Sequence, residues 1–201
     1  MIWDSGPWKG QLLSDADLLQ RWAAKRKATE RRSFLIERKI FISAYAIRKL
    51  FEAKKVSTSF EQRLIECRAF SAKSDRITLE NNHKLEELYY FDNPVTKRVG
   101  VRHLLNQIIH SFVFVECTRD DLTIEGFFVT SDHKRYTSLL LIPMPAFIDV
   151  MREIGQDYPS SSMRIFDKKK NDWFFWQGHG DPPQQILDKL NTIRGRGSEP
   201  K

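Results

Sequence analysis

The segment VRHLLNQIIHSFVFVE, which begins at Val101, contains polar side chains of types that can do chemistry. Its first half has the spacing of a helix and its second half that of a strand. At about 100° per residue, the helix collects its apolar residues on one side. The opposite side carries Arg102, His103, Asn106, Gln107 and His110. These side chains donate and accept hydrogen bonds at defined angles, and histidine exchanges a proton near neutral pH. Such a set suits proton transfer beside a stabilised anion.

This polar side differs from an ordinary solvent-exposed helix face. It carries no Lys or Glu over two turns, although both are good helix formers that are common at surfaces. Arg102, Asn106 and His110 follow one another at four-residue steps and therefore align along the helix. Two interpretations stay open. The face is either catalytic or nucleotide-binding, or it packs against a sheet or a second copy of the chain and satisfies buried polar groups there.

The arrangement resembles HEPN domains, small helical proteins found in RNase toxins and in antiviral defence. Their signature is an Arg, often followed by a polar residue, then four to six residues and a His, on a helix that faces the core of a dimer. Arg98 and His103 in RVGVRH match this spacing literally, but they fall about 140° apart on a straight helix. In RHLLNQIIH, Arg102 and His110 are better aligned, with a spacing one residue longer than the family pattern. The resemblance covers residues 33–111, and the β-rich remainder is not part of the usual HEPN fold.

The resemblance implies RNA cleavage without a metal or a cofactor. The ribose 2′-OH attacks the adjacent phosphorus and leaves a 2′,3′-cyclic phosphate. His110 would move protons, a step worth about 10²–10⁴-fold in rate, Arg102 would stabilise charge on the phosphate, and Asn106 would orient the histidine or the phosphate. A second subunit completes such sites, so a homodimer is implied. Further residues available to the site are His103, Arg98, Arg38 and Arg48.

The segment that begins SFLIERKIFISAYAIRKLF predicts a long helix whose apolar residues lie almost all round it. A helix of this kind is usually buried at the centre of a domain. It nevertheless contains Arg38 and Arg48, and buried charge is costly unless it is paired. Arg48 and Glu52 are four residues apart and can pair on one face. We expect structural ion pairs here, with the alternative that the helix lends Arg38 or Arg48 to a site.

The balance of charge favours a polyanionic partner. The chain has 201 residues, a formal net charge of +7 and a pI of about 9.4, which suits contact with nucleic acid although it does not require it. The run RWAAKRKATERR holds a cluster of cations that could track phosphates, or form a solvated helix face. The cluster comprises Lys25, Arg26, Lys27, Arg31 and Arg32.

Several other classes are disfavoured by the sequence. It contains no GxSxG, Walker, HExxH or dinucleotide-binding motif, and Cys67 and Cys117 belong to no zinc-ligand pattern. Two thiols in a chain of this length favour a reducing compartment. The N-terminus has no signal-peptide pattern, and no apolar run approaches the ~20 residues of a membrane span. We therefore expect a cytoplasmic protein with no membrane contact.

The order of elements predicts an α+β fold, in which an N-terminal helical bundle is followed by a small antiparallel sheet with one packed helix. We divide the chain into a helical HEPN-like part, a sheet part, and a short helix with a disordered tail, all within one compact unit: 1–111, 112–180 and 181–201. Helices are predicted from Ser14 onward and over 33–57, 59–70, 81–91, 101–111, 146–155 and 183–194. A turn is predicted at 92–97. Strands are predicted over 112–118, 123–132, 135–144, 161–169 and 172–178, the last two as a hairpin.

The strand DWFFWQG is the most aromatic segment of the chain. In a strand, Trp173 and Phe175 point one way while Phe174 and Trp176 point the other. One pair is expected to fill the core, and the other either packs at an interface or stacks nucleic-acid bases.

Two functions follow from these patterns. The first is a metal-independent endoribonuclease-like protein of the toxin or phage-defence type, which acts on RNA as a homodimer and has a possible neutralising protein partner. The alternative is a non-enzymatic module that binds nucleic acid through its basic surface or binds a partner protein.

Overall fold

The computed structural model describes residues 2–73 and 76–195 and confirms the predicted α+β class. Its helices are α1 (Gly6–Ala23), α2 (Glu30–Glu52), α3 (Leu85–Leu88), α4 (Val101–Ile109), α5 (Met144–Gln156) and α6 (Gln184–Gly195). Its strands are β1 (Leu64–Ser71), β2 (Val95–Gly100), β3 (Ser111–Thr118), β4 (Ile124–Ser131), β5 (Ser138–Pro143), β6 (Ser161–Asp167) and β7 (Asp172–Gly178). A 3₁₀ helix spans Thr58–Gln62. Most of the predicted tail, from residue 196 onward, lies outside the described residues.

Strands β1 to β5 form one antiparallel sheet in the order β2-β1-β5-β4-β3. Strands β6 and β7 form a separate hairpin. The predicted strands from residue 112 onward and the predicted helix that became α5 are confirmed. Because β1 and β2 precede residue 112, the sheet takes strands from both the first and the second of the predicted parts of the chain.

Between residues 59 and 97, the structure differs from the predicted elements in three segments. The helix predicted over 59–70 is wrong, because β1 occupies most of that segment. Ile65 and Cys67 are buried and alternate with exposed residues, which is the two-residue period of a strand. The helix predicted over 81–91 is reduced to the single turn of α3. The turn predicted at 92–97 is too long, because β2 already begins at Val95.

Helix α1 begins earlier than predicted. Ser14 does not cap it but lies in its interior, where its hydroxyl donates to the Gly10 carbonyl at 3.1 Å. Pro7 stands in the first turn, where its missing N–H removes no helical hydrogen bond. Helix α2 is capped by Thr29, whose hydroxyl oxygen accepts from the Arg32 amide at 3.2 Å.

The sheet lies between two apolar layers. On one face, α1, α2, α4 and α5 form the main core with side chains such as Ile40, Phe127 and Phe147, each fully buried. On the other face, a smaller cluster around Phe70 and Tyr89 packs under the segment that leads to β2. The larger layer fixes α2 and α4 side by side.

The composition of α2 predicted a helix buried on every side, but one of its faces is exposed. Its inner face is fully buried, whereas Phe34, Ile42 and Tyr45 are 60%, 44% and 50% exposed. Ile42 lines one cleft with the exposed Trp8 of α1, and Tyr45 lines another with the same residue. Phe34 lies about 12 Å along α2 from Ile42. An apolar face left open on a monomer is typical of an interaction surface.

A buried carboxylate joins the ends of several elements. Asp157, directly after α5, accepts hydrogen bonds from the Ser57 amide at 2.5 Å and the Ser57 hydroxyl at 2.7 Å. Its Oδ1 also lies 2.7 Å from Nε2 of His179, which follows β7. The buried Lys9 of α1 donates to the carbonyls of Lys55 and Asp157. This cluster therefore ties α1, the end of α2, α5 and the hairpin together.

Replacing Asp157 with Ala should destabilise the protein by about 3 kcal/mol, because it leaves the buried Ser57 donors without an acceptor. Urea unfolding followed by circular dichroism measures this loss. Asp120→Ala, at an exposed position, is the matched control and should change little. Equal stability of the two variants would contradict a clamping role for Asp157.

Candidate functional site

The apolar stripe of α4 positions the predicted site. Val101, Leu104, Leu105 and Ile108 are each at most 1% exposed and pack into the main core. The helix begins after Gly100, where the Val101 amide donates to the Arg63 carbonyl at 2.9 Å. It ends at His110, whose amide donates to the Asn106 carbonyl at 3.1 Å. The predicted helix is thus confirmed, and the opposite side of α4 must face outward.

The polar side of α4 divides into two rows. Arg102, Asn106 and His110 are exposed and run along the edge that faces α2. His103 and Gln107 run along the other edge, towards the end of β4. Gln107 is buried, and its side-chain oxygen accepts from the Ser131 amide at 2.9 Å. Gln107 therefore holds the helix to the sheet and is unavailable to a ligand.

Arg48 of α2 occupies the centre of the first row. Its Nη1 donates to Oδ1 of Asn106 at 3.2 Å and lies 3.5 Å from Nε2 of His110. Its Nε donates to Glu52 at 3.0 Å, as the four-residue spacing predicted. A guanidinium group can only donate, so a hydrogen bond between the two groups requires the lone pair of His110 Nε2 to point towards Arg48. One arginine therefore aligns an amide and an imidazole.

A second guanidinium group lies nearby. Nη2 of Arg102 is 3.2 Å from Oε1 of Glu61, in the 3₁₀ helix, and its guanidinium carbon lies 6.0 Å from the centre of the Phe51 ring. A small cleft of about 80 Å³ separates the two arginines. It is lined by Arg48, Phe51, Glu52, Arg102, Leu105 and Asn106. Two fixed cations beside one cleft form a favourable place for a phosphate group.

Carboxylates hold both arginines. Glu52 accepts from Lys49 at 2.7 Å as well as from Arg48, and these hydrogen bonds, that of Lys49 foremost, hold the pKa of Glu52 below its ordinary value. Glu52 is therefore an anion at neutral pH and keeps Arg48 in place. Glu61 was not singled out in the sequence, because it lies far from Arg102 in the chain and no local pattern connects the two.

The other predicted site residues lie apart from this cleft. Arg98 is on β2 and pairs with Glu66 at 3.9 Å, so the literal Arg98–His103 spacing spans a strand and a helix and forms no common face. Arg38 is exposed on α2, but about 15 Å along the helix from Arg48 at 1.5 Å per residue. Neither arginine is brought to His110.

His103 belongs to the second row of α4. His103 is exposed, but desolvation of its ring by neighbouring atoms, and then the positive charge of Lys134, lower its pKa. The side chain thus favours its neutral form beside the turn between β4 and β5, away from Arg48.

The basic run between α1 and α2 is divided by the fold. Lys25, Arg26 and Lys27 are exposed in the connecting segment, and Arg31 is exposed on the first turn of α2. Three of these cations line a cleft of about 220 Å³ together with other residues: Trp22, Lys25, Lys27, Thr29, Arg31, Arg32 and Leu35. This exposed cationic surface remains compatible with the predicted role in phosphate contact.

Arg32 serves a different purpose from its neighbours. It is 8% exposed, and its Nη1 donates to the carbonyls of Lys25 at 2.7 Å and Leu122 at 3.1 Å. It therefore joins α2 to the turn between β3 and β4 and does not present its charge to solvent.

Comparison of the chain with protein-family models, with curated proteins and with solved structures found no match. Among residues 2–73 and 76–195, His, Cys, Asp and Glu side chains form no group of three that could hold a metal ion. In the same part of the chain, none of the helices combines the length and apolarity needed to cross a bilayer.

Stability should depend on pH through His103. Because its pKa is lowered in the folded protein, the unfolded chain binds a proton more readily, and stability falls as the pH falls through the ordinary value of 6.5. In His103→Gln, the urea midpoint should decline less between about pH 7.5 and about pH 5. Lys134→Gln removes only the lesser cause and should give an intermediate decline. An unchanged decline in His103→Gln would contradict this assignment.

Proposed function

We propose that the protein is a metal-independent endoribonuclease-like enzyme that cleaves RNA by attack of the ribose 2′-OH on the adjacent phosphorus. The observation that carries the proposal is the contact of one guanidinium group, that of Arg48, with both Asn106 and His110, where Arg48 and Asn106 also line a small cleft. Arg102, across that cleft, supplies a second cation for the scissile phosphate. The HEPN resemblance of the same helix supports this choice of chemistry.

The roles follow from what each group can donate or accept. When Arg48 turns towards the phosphate, it releases the lone pair of His110 Nε2, which takes the proton from the 2′-OH as its oxygen bonds to phosphorus. The bond from phosphorus to the 5′-oxygen then breaks, giving a 2′,3′-cyclic phosphate and a 5′-OH that must receive a proton. Arg48 and Arg102 stabilise the charge that develops on the phosphoryl oxygens. Asn106 keeps Arg48 aligned with His110.

A homodimer would supply the proton donor that one copy lacks. In its protonated form, the second copy's His110 is suited to protonate the 5′-oxygen. The exposed apolar face of α2, formed by Phe34, Ile42 and Tyr45, favours such an assembly. A cleft of about 650 Å³ continues from Tyr45 past Lys49 to Glu52, the residue that fixes Arg48. Contact between copies there would thus reach the edge of the site.

The biological setting follows as part of the same proposal. An RNase of this kind acts as a toxin or in antiviral defence in the cytoplasm, where Cys67 and Cys117, both free thiols, would stay reduced. RNA is its substrate partner. A neutralising protein would protect the host cell by covering the cleft.

A second candidate function is non-enzymatic binding of nucleic acid. It is favoured by the separate cationic surface of Lys25, Lys27 and Arg31, which needs no chemistry to hold a phosphate chain. A partner-binding module that uses the open α2 face is the other form of this alternative. Salt-dependent binding without cleavage would identify the nucleic-acid form.

Cleavage should require His110 and Arg48. His110→Ala and Arg48→Ala should each lower the rate of single-stranded RNA cleavage by about a hundredfold or more, and Arg48→Lys should not restore it, because lysine cannot bridge two acceptors with planar geometry. The assay is gel analysis of RNA incubated with EDTA, with detection of the 2′,3′-cyclic end. Expression in bacteria gives a parallel readout, since toxicity should disappear with His110→Ala.

His133→Ala, in the exposed turn after β4, is the matched control for these variants and should cleave like the wild type. Cleavage that survives in His110→Ala would reject the proposed chemistry. Absence of cleavage by every form, with salt-dependent RNA binding retained, would select the non-enzymatic alternative.

Assembly should depend on the open face of α2. Ile42→Glu places a charge in the apolar patch and should shift the protein from dimer to monomer by light scattering after gel filtration, with RNA cleavage falling in parallel. Leu79→Glu, which makes the same kind of change at a position 78% exposed outside α2, serves as the control. A wild-type protein that remains monomeric at high concentration would refute the dimer.

A further inference from the structure

The β6–β7 hairpin has one covered face and one open face. Met163 pairs with Trp176 and Ile165 with Phe174 on the covered face. Helix α6 packs there with Leu190 buried, and Lys189 lies 4.3 Å from the centre of the Phe174 ring. The covered face thus accounts for one of the two aromatic pairs of DWFFWQG.

The open face carries Trp173 and Phe175, the other aromatic pair, together with Phe166 of β6 and several cations. Trp173 is 57% exposed and Phe166, its cross-strand partner, is 39% exposed, with the two rings edge to face at 5.4 Å. The Arg164 guanidinium lies 5.5 Å from the Trp173 ring centre, and Lys54 lies 5.8 Å from that of Phe175. Aromatic surface and positive charge are therefore combined on one face.

The turn of the hairpin adds positive charge beside these rings. Lys168, Lys169 and Lys170 are all exposed at the tip. The neighbouring Asp167 is 5% exposed, and its carboxylate accepts from the backbone amides of Lys169 and Lys170 at 3.0 and 3.4 Å. The acidic side chain shapes the turn from within, while the three ammonium groups remain outside.

The open face is connected to the cleft between α2 and α4. The backbone amide of Gln177 donates to the Thr58 hydroxyl at 3.0 Å, which anchors the hairpin to the 3₁₀ helix. In that helix, Oε1 of Glu61 lies 3.4 Å from Lys54 and 3.2 Å from Arg102. Lys54 touches the hairpin and Arg102 lines the cleft. The two surfaces are adjacent, with a chain of charged groups between them.

We propose that the open face of the β6–β7 hairpin binds single-stranded RNA by stacking bases on Trp173 and Phe166. Arg164 and the three tip lysines hold the adjoining phosphates. Bases of a duplex are already stacked and paired, so exposed rings select an unpaired strand. An uncharged apolar partner would have to desolvate Arg164 beside the rings, whereas a nucleic acid offers a ring and an anion together. That the bound strand continues into the α2–α4 cleft for cleavage rests on the proposed function. Binding of the strand to the hairpin does not.

Binding is tested with a fluorescent single-stranded oligonucleotide whose riboses are 2′-O-methylated and cannot be cleaved, by anisotropy with the full chain. Trp173→Ala should weaken binding about tenfold or more, and Trp173→Phe should retain most of it because phenylalanine still stacks. Trp3→Ala, at a position 93% exposed outside the hairpin, is the matched control and should bind like the wild type. The same oligonucleotide annealed to its complement should compete poorly.

Equal binding by Trp173→Ala and the wild type, or equal competition by the duplex, would overturn this proposal. So would the absence of measurable single-strand binding at low salt by the wild type, since cationic groups should then bind most strongly. Circular dichroism of each variant verifies that the hairpin change has not unfolded the chain.

Failure of this proposal and failure of the enzymatic proposal give different results. If the wild type cleaves no RNA but binds the methylated strand in a Trp173-dependent way, the hairpin site stands alone. If cleavage depends on His110 but Trp173→Ala leaves both binding and the KM for a long RNA unchanged, the hairpin site is rejected and the enzyme remains.

Discussion

The packing of α4 onto α2 and the sheet is the interaction on which the candidate site depends. Val101, Leu104, Leu105 and Ile108 are almost completely removed from solvent, and each such side chain contributes about 1.5–3 kcal/mol of hydrophobic stabilisation. This burial leaves the helix one orientation. Its polar edge must then face Arg48, which the inner apolar face of α2 holds just as firmly. The site is therefore a consequence of core packing and not of local sequence alone.

Ion pairs restrain the two arginines of the candidate site, in addition to the packing of the helices. Arg48 is held by Glu52 and Arg102 by Glu61, so neither guanidinium group is a free surface charge. A phosphate bound in the cleft would compete with those carboxylates, and the arginines would exchange one anionic partner for another. Such pairing lowers the entropy that is lost on binding, because the cations are already near their working positions. It also means that net positive charge alone is a poor guide to where a ligand is held.

Secondary structure was predicted correctly where the apolar residues of a segment had one clear spacing. It was predicted wrongly where their spacing fitted both a helix and a strand. The amphipathic α4, the strands after residue 111 and the β6–β7 hairpin were identified from spacing. In LIECRAF, apolar residues are frequent enough to fit either a helix or a strand, and the helix was chosen although β1 is the result. The isolated sequence could not show that this segment would pair with β2 on one side and β5 on the other. Arg32 shows the same limit. Its neighbours in the chain are exposed cations, whereas Arg32 is buried and donates to the carbonyls of Lys25 and Leu122.

The sequence by itself determined which side of α4 is apolar, that its other side carries Arg102, Asn106 and His110, and that Arg48 and Glu52 can pair, because all of these depend on residues within a few turns of one helix. Only the tertiary structure decided that Arg48 is the residue between Asn106 and His110, that Gln107 is buried, and that Arg98 belongs to a strand. Arg48 and Asn106 are 58 positions apart. Contacts over that distance are set by how apolar faces pack together, and no spacing along the chain records it.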